Sequence, residues 1–217
     1  MNKGFTLVEL LVVIAIIAAL AAMATPVIMK QNKKAAMTEA TNNAKQIFYL
    51  MVEFDGDFGE FPSDTSKDDI EAGDITLGTT SSNDFFRQFF AGRYTQSEEI
   101  FYAKSKITKK PNNALKGDTL SEGECGFAYI KGQSTSDNTG RPLVMAPMED
   151  GEQEFDPDPY DSKCVVLRID GAVKQLRLNN DNKAILSGTQ TLFDGGEDSV
   201  WGDDGFTSGD LTHPVKK

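Results

Sequence analysis

Histidine and cysteine, which supply many metal ligands and nucleophiles, are scarce in this sequence of 217 residues. It holds one histidine, His213, and two cysteines, Cys125 and Cys164. It also lacks a glycine-rich phosphate loop, the ligand spacing of a zinc site and a nucleophile motif. These absences argue against catalysis, and we expect a protein that is not an enzyme.

Positive charge is the second deficit. The chain has 22 lysines and arginines against 33 aspartates and glutamates, which gives a formal net charge of -11. Such an excess of negative charge disfavours nucleic acid and anionic lipid through general electrostatics. We therefore expect a solvent-exposed acidic domain and no nucleic-acid partner.

Long apolar runs are also rare, because only one stretch of the sequence is long enough to cross a membrane. From Phe5 to Met29 the only charged residue is Glu9. A helix over this run would be about 37 Å long, more than the roughly 30 Å hydrocarbon core of a bilayer. The backbone of such a segment must be helical in lipid to satisfy its own amides. Residues 5–29 are therefore predicted to form a single transmembrane helix.

Charge bias does not orient this span. Lys3 precedes it, but Lys30, Lys33 and Lys34 follow it, so the positive-inside rule taken alone would weakly favour the reverse orientation.

An ordinary membrane anchor does not explain the presence of Glu9. The free energy of inserting a charged residue at mid-helix is roughly 2.5–3.5 kcal/mol, and somewhat less near a helix end. The short leader Met1-Asn2-Lys3-Gly4, the Gly-Phe junction and a glutamate at the fifth position after it resemble the N-terminus of type IV pilins and pseudopilins. The resemblance implies that prepilin peptidase cuts between Gly4 and Phe5 and methylates the Phe5 amine. It also implies that Glu9 pairs with the Phe5 amine of a neighbouring subunit during filament assembly.

Two other interpretations of the N-terminus remain open. A cleavable secretory signal would use Ala22-Met23-Ala24 as its small-residue cleavage site, but it assigns no role to Glu9 or to Gly4-Phe5. An ordinary transmembrane anchor likewise leaves Glu9 unexplained.

The helical pattern continues beyond the membrane span, over residues 30–54. Apolar residues recur there at three- and four-residue spacing, namely Ala36, Ala40, Ala44, Ile47, Met51 and Phe54. Pro26 removes one backbone bond and should bend the helix without ending it, and it matches a proline common in the pilin family. Asp55-Gly56-Asp57, followed by Gly59 and Pro62, is predicted to end the helix.

Residues 55–217 are predicted to form the head of an α+β protein, in which the long N-terminal helix packs on an antiparallel β-sheet. Residues 63–83 look like a long loop, and a short helix ending at Gly92 should dock four phenylalanines in the core: Phe85, Phe86, Phe89 and Phe90. The clearest strand signal is the hairpin 164–178, for which Asp170-Gly171 predicts a type I′ turn.

Two further predictions concern the head. In an oxidising compartment Cys125 and Cys164 would pair as a disulfide, whereas in the cytosol they would be free thiols. A C-terminal acidic segment offers oxygen ligands for Ca²⁺, with a solvated, metal-free loop as the alternative. Its candidate ligands are Asp194, Asp198, Asp203 and Asp204. Some pseudopilins carry a calcium in a C-terminal loop, but this chain has Ser199-Val200-Trp201-Gly202 where their major member has Asp-Pro-Trp-Gly.

Together these observations predict a structural subunit of a type IV pilus or pseudopilus, with no obligatory cofactor. Residues 1–4 would be the leader, 5–29 the transmembrane and assembly half of the helix, and 30–54 its amphipathic half. The resemblance implies a bacterial inner-membrane protein with an extracytoplasmic head, which forms homo- or hetero-oligomeric filaments with other pilin-like subunits. The alternative is a monomeric, membrane-anchored binding protein exported with a pilin-like N-terminus.

Overall fold

A single helix of 52 residues, α1 (Leu7–Phe58), runs along one side of the molecule. The computed structural model describes residues 6–149, 151, 153–197, 199–203 and 205–217. The helix passes through Pro26 without ending, as predicted. It extends to Phe58, past the predicted bound at residue 54, and ends at Gly59, one of the predicted stop residues. Gly59 adopts the left-handed conformation (φ 76°), and its N–H donates to the Asp55 carbonyl.

The second half of α1 packs on the head, chiefly against the strand Lys163–Arg168 and the short 3₁₀ turn Glu99–Phe101. Its buried residues are Ala36, Met37, Ala40, Ala44, Ile47, Met51 and Phe54. They include every member of the predicted apolar face, so that prediction is confirmed. Alanines at three of these positions let the helix backbone approach the sheet closely.

The head contains a five-stranded antiparallel sheet of order β4-β3-β2-β1-β7 and a separate two-stranded sheet, β5-β6. In chain order the strands are β1 (Ala128–Ile130), β2 (Pro142–Ala146), β3 (Lys163–Arg168), β4 (Val173–Arg177), β5 (Ile185–Ser187), β6 (Gln190–Thr191) and β7 (Leu211–Thr212). The predicted antiparallel α+β class is confirmed. The sequence pattern did not predict β7, because two residues are too short to show alternation.

The sheet separates two hydrophobic cores. On the α1 side, Tyr129 and Val165 join the helix residues and the phenylalanines of α3 (Ser82–Ala91). All four phenylalanines of α3 are buried, as predicted. On the other face, Ala128 and Val166 pack against the C-terminal segment. The region predicted as a long loop contains one short helix, α2 (Asp64–Asp69), capped by the Ser63 side chain.

The β3–β4 hairpin is present, but its turn differs from the prediction. A type I′ turn needs positive φ at both central residues, and of Asp170 and Gly171 only Gly171 has it (φ 76°). Gly171 N–H donates to the Arg168 carbonyl, and Arg168 N–H donates to the Ala172 carbonyl. This pattern is typical of a three-residue loop that ends in a glycine bulge.

Candidate assembly site

The apolar first half of α1 makes no contact with the head. All residues from 6 to 29 are exposed, and even large side chains are bare, with Leu7 78% and Leu20 62% exposed. In the described part of the chain, α1 is the one helix long and apolar enough to cross a membrane by length and composition. An apolar surface of this size needs lipid or other protein chains to cover it.

Thr6 and Glu9 form a reciprocal capping box at the start of this helix. The Thr6 backbone N–H donates to Glu9 Oε2 at 2.8 Å, and the Thr6 hydroxyl donates to the same oxygen at 2.6 Å. The Glu9 backbone N–H in turn donates to Thr6 Oγ1 at 3.3 Å. The predicted assembly glutamate is thus held at the very tip of the helix by a residue that the sequence analysis did not single out, although Thr-x-x-Glu is a known capping pattern.

The capping box uses only one oxygen of the Glu9 carboxylate. Among residues from 6 onward, no donor contacts Oε1, so this oxygen can accept a further hydrogen bond from a cation. Gly4 and Phe5, the predicted processing residues, lie outside the described residues. Phe5 directly precedes Thr6 in the chain, and Thr6 N–H already points at the carboxylate.

Pro26 lies within the exposed half of α1. Proline has no N–H, so it cannot donate to the Ala22 carbonyl one turn earlier. One residue before it, the Thr25 hydroxyl donates to the Ala21 carbonyl at 2.8 Å. The helix therefore has one weakened turn near the head end of its unburied segment.

The predicted disulfide between Cys125 and Cys164 is wrong, because both are free and buried. Cys125 belongs to the core on the α1 side of the sheet, where its thiol lies 3.8 Å from the Ser82 hydroxyl. Cys164 belongs to the core on the opposite face. Desolvation by burial raises the pKa of each thiol to about 12, so neither is a reactive thiolate at neutral pH.

The C-terminal acidic segment does not assemble a metal site from the residues described. Asp194 Oδ2 accepts a hydrogen bond from the Thr191 N–H at 2.7 Å, which closes a turn, and Asp203 is exposed. Asp198 and Asp204 lie outside the described residues. Within the described ranges, no three acidic, histidine or cysteine side chains converge on a common point. Calcium binding there therefore stays a prediction.

Trp201 holds the acidic segment against the head. Its indole N–H donates to the Leu192 carbonyl at 2.9 Å, and its ring lies 4.7 Å from that of Phe206. The Arg141 guanidinium lies 5.3 Å from the indole centroid on one face of the ring.

Comparison with known proteins matches the N-terminal segment to one family and parts of the chain to fimbrial proteins. Residues 1–25 match the family described as "Prokaryotic N-terminal methylation motif". A fimbrial protein of Neisseria meningitidis serogroup A / serotype 4A (strain DSM 15465 / Z2491) is 32% identical over 124 residues, which cover 56% of this chain and 65% of that protein. A fimbrial protein of N. meningitidis serogroup B (strain ATCC BAA-335 / MC58) is 29% identical with the same coverage.

A shorter match joins residues of this chain to fimbrial protein EcpC of Eikenella corrodens, with 41% identity over 71 residues, 33% of this chain and 46% of that protein. The chain thus spans a little under two thirds of the two Neisseria proteins and less than half of the Eikenella protein. No solved structure gives a significant match. The methylation motif, the exposed N-terminal helix, the α+β head and the similarity to fimbrial proteins together support a relationship to the type IV pilin family.

Proposed function

We propose that this protein is a structural subunit of a type IV pilus or a related pseudopilus. Prepilin peptidase cuts it after Gly4 and methylates Phe5. The first half of α1 then holds it in the inner membrane with its head outside the cytoplasm. Polymerisation transfers that half-helix from lipid to a bundle of the same helices from other subunits, which are further copies of this chain or other pilin-like proteins.

The observation that carries the proposal is the division of α1 into an exposed and a docked half. Residues 7–29 expose an apolar surface all round, while the same continuous helix packs on the head from Ala36 onward. A continuous helix that projects from a folded head can exchange lipid for neighbouring helices without a change in the head. The alternative, a monomeric anchored binding protein, needs the apolar surface but not the Glu9 carboxylate at its tip.

The first prediction concerns processing. Mass spectrometry of the mature protein should show a chain that begins with N-methylated Phe5. Gly4→Leu should block the cut, because a peptidase that approaches the backbone closely tolerates no side chain at that position. A mature chain that begins at Thr25 would support a secretory signal instead, and an uncut chain would contradict the proposal.

The second prediction concerns assembly. Glu9→Gln should leave membrane insertion unchanged or improved, because it removes a costly charge from the apolar segment. It should lower the amount of protein in sheared surface filaments by about thirtyfold, since a charge-assisted hydrogen bond of about 2 kcal/mol at each subunit contact is lost. Fractionation of membranes and sheared filaments, with immunoblots of each, measures both quantities.

Two matched variants show what the Glu9 result means. Glu39→Gln removes an exposed glutamate from the same helix and should assemble normally. Thr6→Val removes the capping hydroxyl but keeps the Glu9 charge, so it should retain much more assembly than Glu9→Gln. Equal loss in Thr6→Val and Glu9→Gln would show that Glu9 serves only to cap its own helix, and normal assembly of Glu9→Gln would refute the pairing with a neighbouring amine.

A further inference from the structure

Three lysines follow the apolar run of α1 directly, on the side where the head lies. Lys30, Lys33 and Lys34 come within five residues of Met29, the last residue of the run. At about 1.5 Å per residue they extend about 8 Å beyond it. The headgroup layer on each side of a bilayer is about 5–7 Å thick, so these side chains lie at its level.

The head adds a fourth lysine at the same level. Lys33 Nζ donates to Asp158 Oδ1 at 2.6 Å, which brings the loop that carries Asp158 down to the start of the docked half of α1. The Lys33 ammonium, together with Lys104, lowers the pKa of Asp158. Lys104 also lines an open groove with Asn32 of α1. Lys30, Lys33, Lys34 and Lys104 therefore form a basal lysine cluster at the membrane end of the head.

Most of this positive charge is not neutralised by the protein itself. Lys30, Lys34 and Lys104 are exposed, and in the described ranges none of them has a carboxylate oxygen within 4 Å. Asp158 is 84% exposed and faces the cluster as its one paired carboxylate. Glu39 also lines the groove, but it lies nine residues beyond Lys30, about 13 Å further along the helix and outside the headgroup layer.

The basal lysine cluster is positively charged, whereas the whole chain has a negative net charge. Net charge opposes anionic surfaces at long range, but that effect is screened beyond about 8 Å at physiological ionic strength. At the short distances within a headgroup layer, local charge decides. The general argument that an acidic chain avoids anionic lipid therefore does not hold for this end of the molecule.

We propose that the basal lysine cluster binds the phosphate groups of anionic phospholipids in the leaflet that faces the head. The proposal rests on the membrane-anchored pilin function set out above. Ammonium groups bind phosphate oxygens as point charges, and each lysine near an anionic membrane surface strengthens binding by about fivefold. The acidic surface of a second copy of the chain is the competing partner. Lipid is favoured because the cluster lies where the apolar run ends, and there an unassembled subunit meets headgroups first.

The test uses the full chain in nanodiscs of equal parts phosphatidylglycerol and phosphatidylcholine. After mild detergent extraction, mass spectrometry measures the ratio of the two lipids that remain bound. The wild-type chain should retain phosphatidylglycerol in clear preference. The triple variant Lys30→Gln, Lys34→Gln, Lys104→Gln should lower that preference by at least about tenfold. Lys33 is left in place, because its removal would also break the Asp158 ion pair.

A matched control removes the same amount of charge elsewhere. Lys67→Gln, Lys116→Gln, Lys131→Gln changes three lysines of the head that pair with its own carboxylates, and it should keep the wild-type preference. Asp158→Asn should act in the opposite direction and raise the preference, because it removes the one carboxylate paired within the cluster. Thermal melts show whether each variant keeps its fold.

The outcomes separate the possibilities. An unchanged lipid preference in the basal triple variant, or an equal fall in the control, would overturn the proposal. If that unchanged preference came with a salt-dependent loss of filaments, the cluster would contact a second copy instead. A wild-type chain that prefers phosphatidylglycerol but never enters filaments would support lipid binding and refute the pilin function. A wild-type chain that forms normal filaments but shows no lipid preference would support the pilin function and refute lipid binding.

Discussion

Phe54→Ala should lower the free energy of unfolding of the head by about 3–5 kcal/mol. Phe54 is completely buried on the docked half of α1, and its ring is stacked 4.4 Å from that of Phe58. It also meets Phe89 of α3 edge-on at 5.5 Å and lies 5.4 Å from the Tyr94 ring. Truncation leaves a cavity at the junction of both helices. Because a domain of this size has only about 5–15 kcal/mol of stability, the change removes a large fraction of it.

Urea unfolding of the full chain in detergent, followed by the fluorescence of Trp201, measures this loss. The matched control is Tyr49→Ala, since Tyr49 lies on the same helix but is 70% exposed. Its cost should stay within about 0.5 kcal/mol. Similar losses in the two variants would contradict the assignment of the head-facing side of α1, on which the division of the helix depends.

Gly126→Ala should destabilise the head by about 3 kcal/mol, near the upper end of the usual cost of overpacking. A Cβ at Gly126 would lie well inside contact distance of the backbone oxygen and nitrogen of Ala103, and backbone atoms cannot swing aside as a flexible side chain can. The two segments are also tied together, because Gly126 N–H donates to the Phe101 carbonyl at 2.9 Å. The strain therefore falls on the strand that carries Tyr129 into the main core.

The same glycine-to-alanine change at Gly56 should have the opposite effect on stability. Gly56 lies within α1, and a Cβ built there meets no atom within 4 Å. Gly56→Ala should stabilise the protein by about 0.5–1 kcal/mol, because alanine favours a helix over glycine. Thermal melts of both variants under one condition test the pair. A Gly126→Ala protein as stable as wild type would show that the chain around Ala103 moves away from Gly126.

Much of the architecture was predictable because it depends on patterns within one segment. The unbroken apolar run and Glu9 predicted the exposed half of α1. The three- and four-residue spacing from Ala36 to Phe54 predicted its docked face. The phenylalanines of α3 and the hairpin run that became β3 were found for the same reason, since the apolar face of a helix or strand shows in the spacing of its own residues.

Features that depend on how separate segments meet were missed or wrong. Cys125 and Cys164 each begin an apolar run, but they pack in the two separate hydrophobic cores, and no spacing along the chain reveals this separation. The hairpin turn was wrong for a local reason: Asp-Gly is compatible with more than one loop length, and pairing between β3 and β4 selected the longer one.

The sequence by itself determined the N-terminal motif, the helix period and the α+β class, because each follows from neighbours in the chain. Only the tertiary structure decided which residues share a surface. Lys33 and Asp158 are 125 positions apart, and nothing in either segment predicts that they pair. The packing of α1 on the sheet brings the loop of Asp158 and the residue Lys104 to the membrane end of the head. A line of lysines after an apolar run thereby becomes a cluster, since burial of apolar faces decides which polar residues end up side by side.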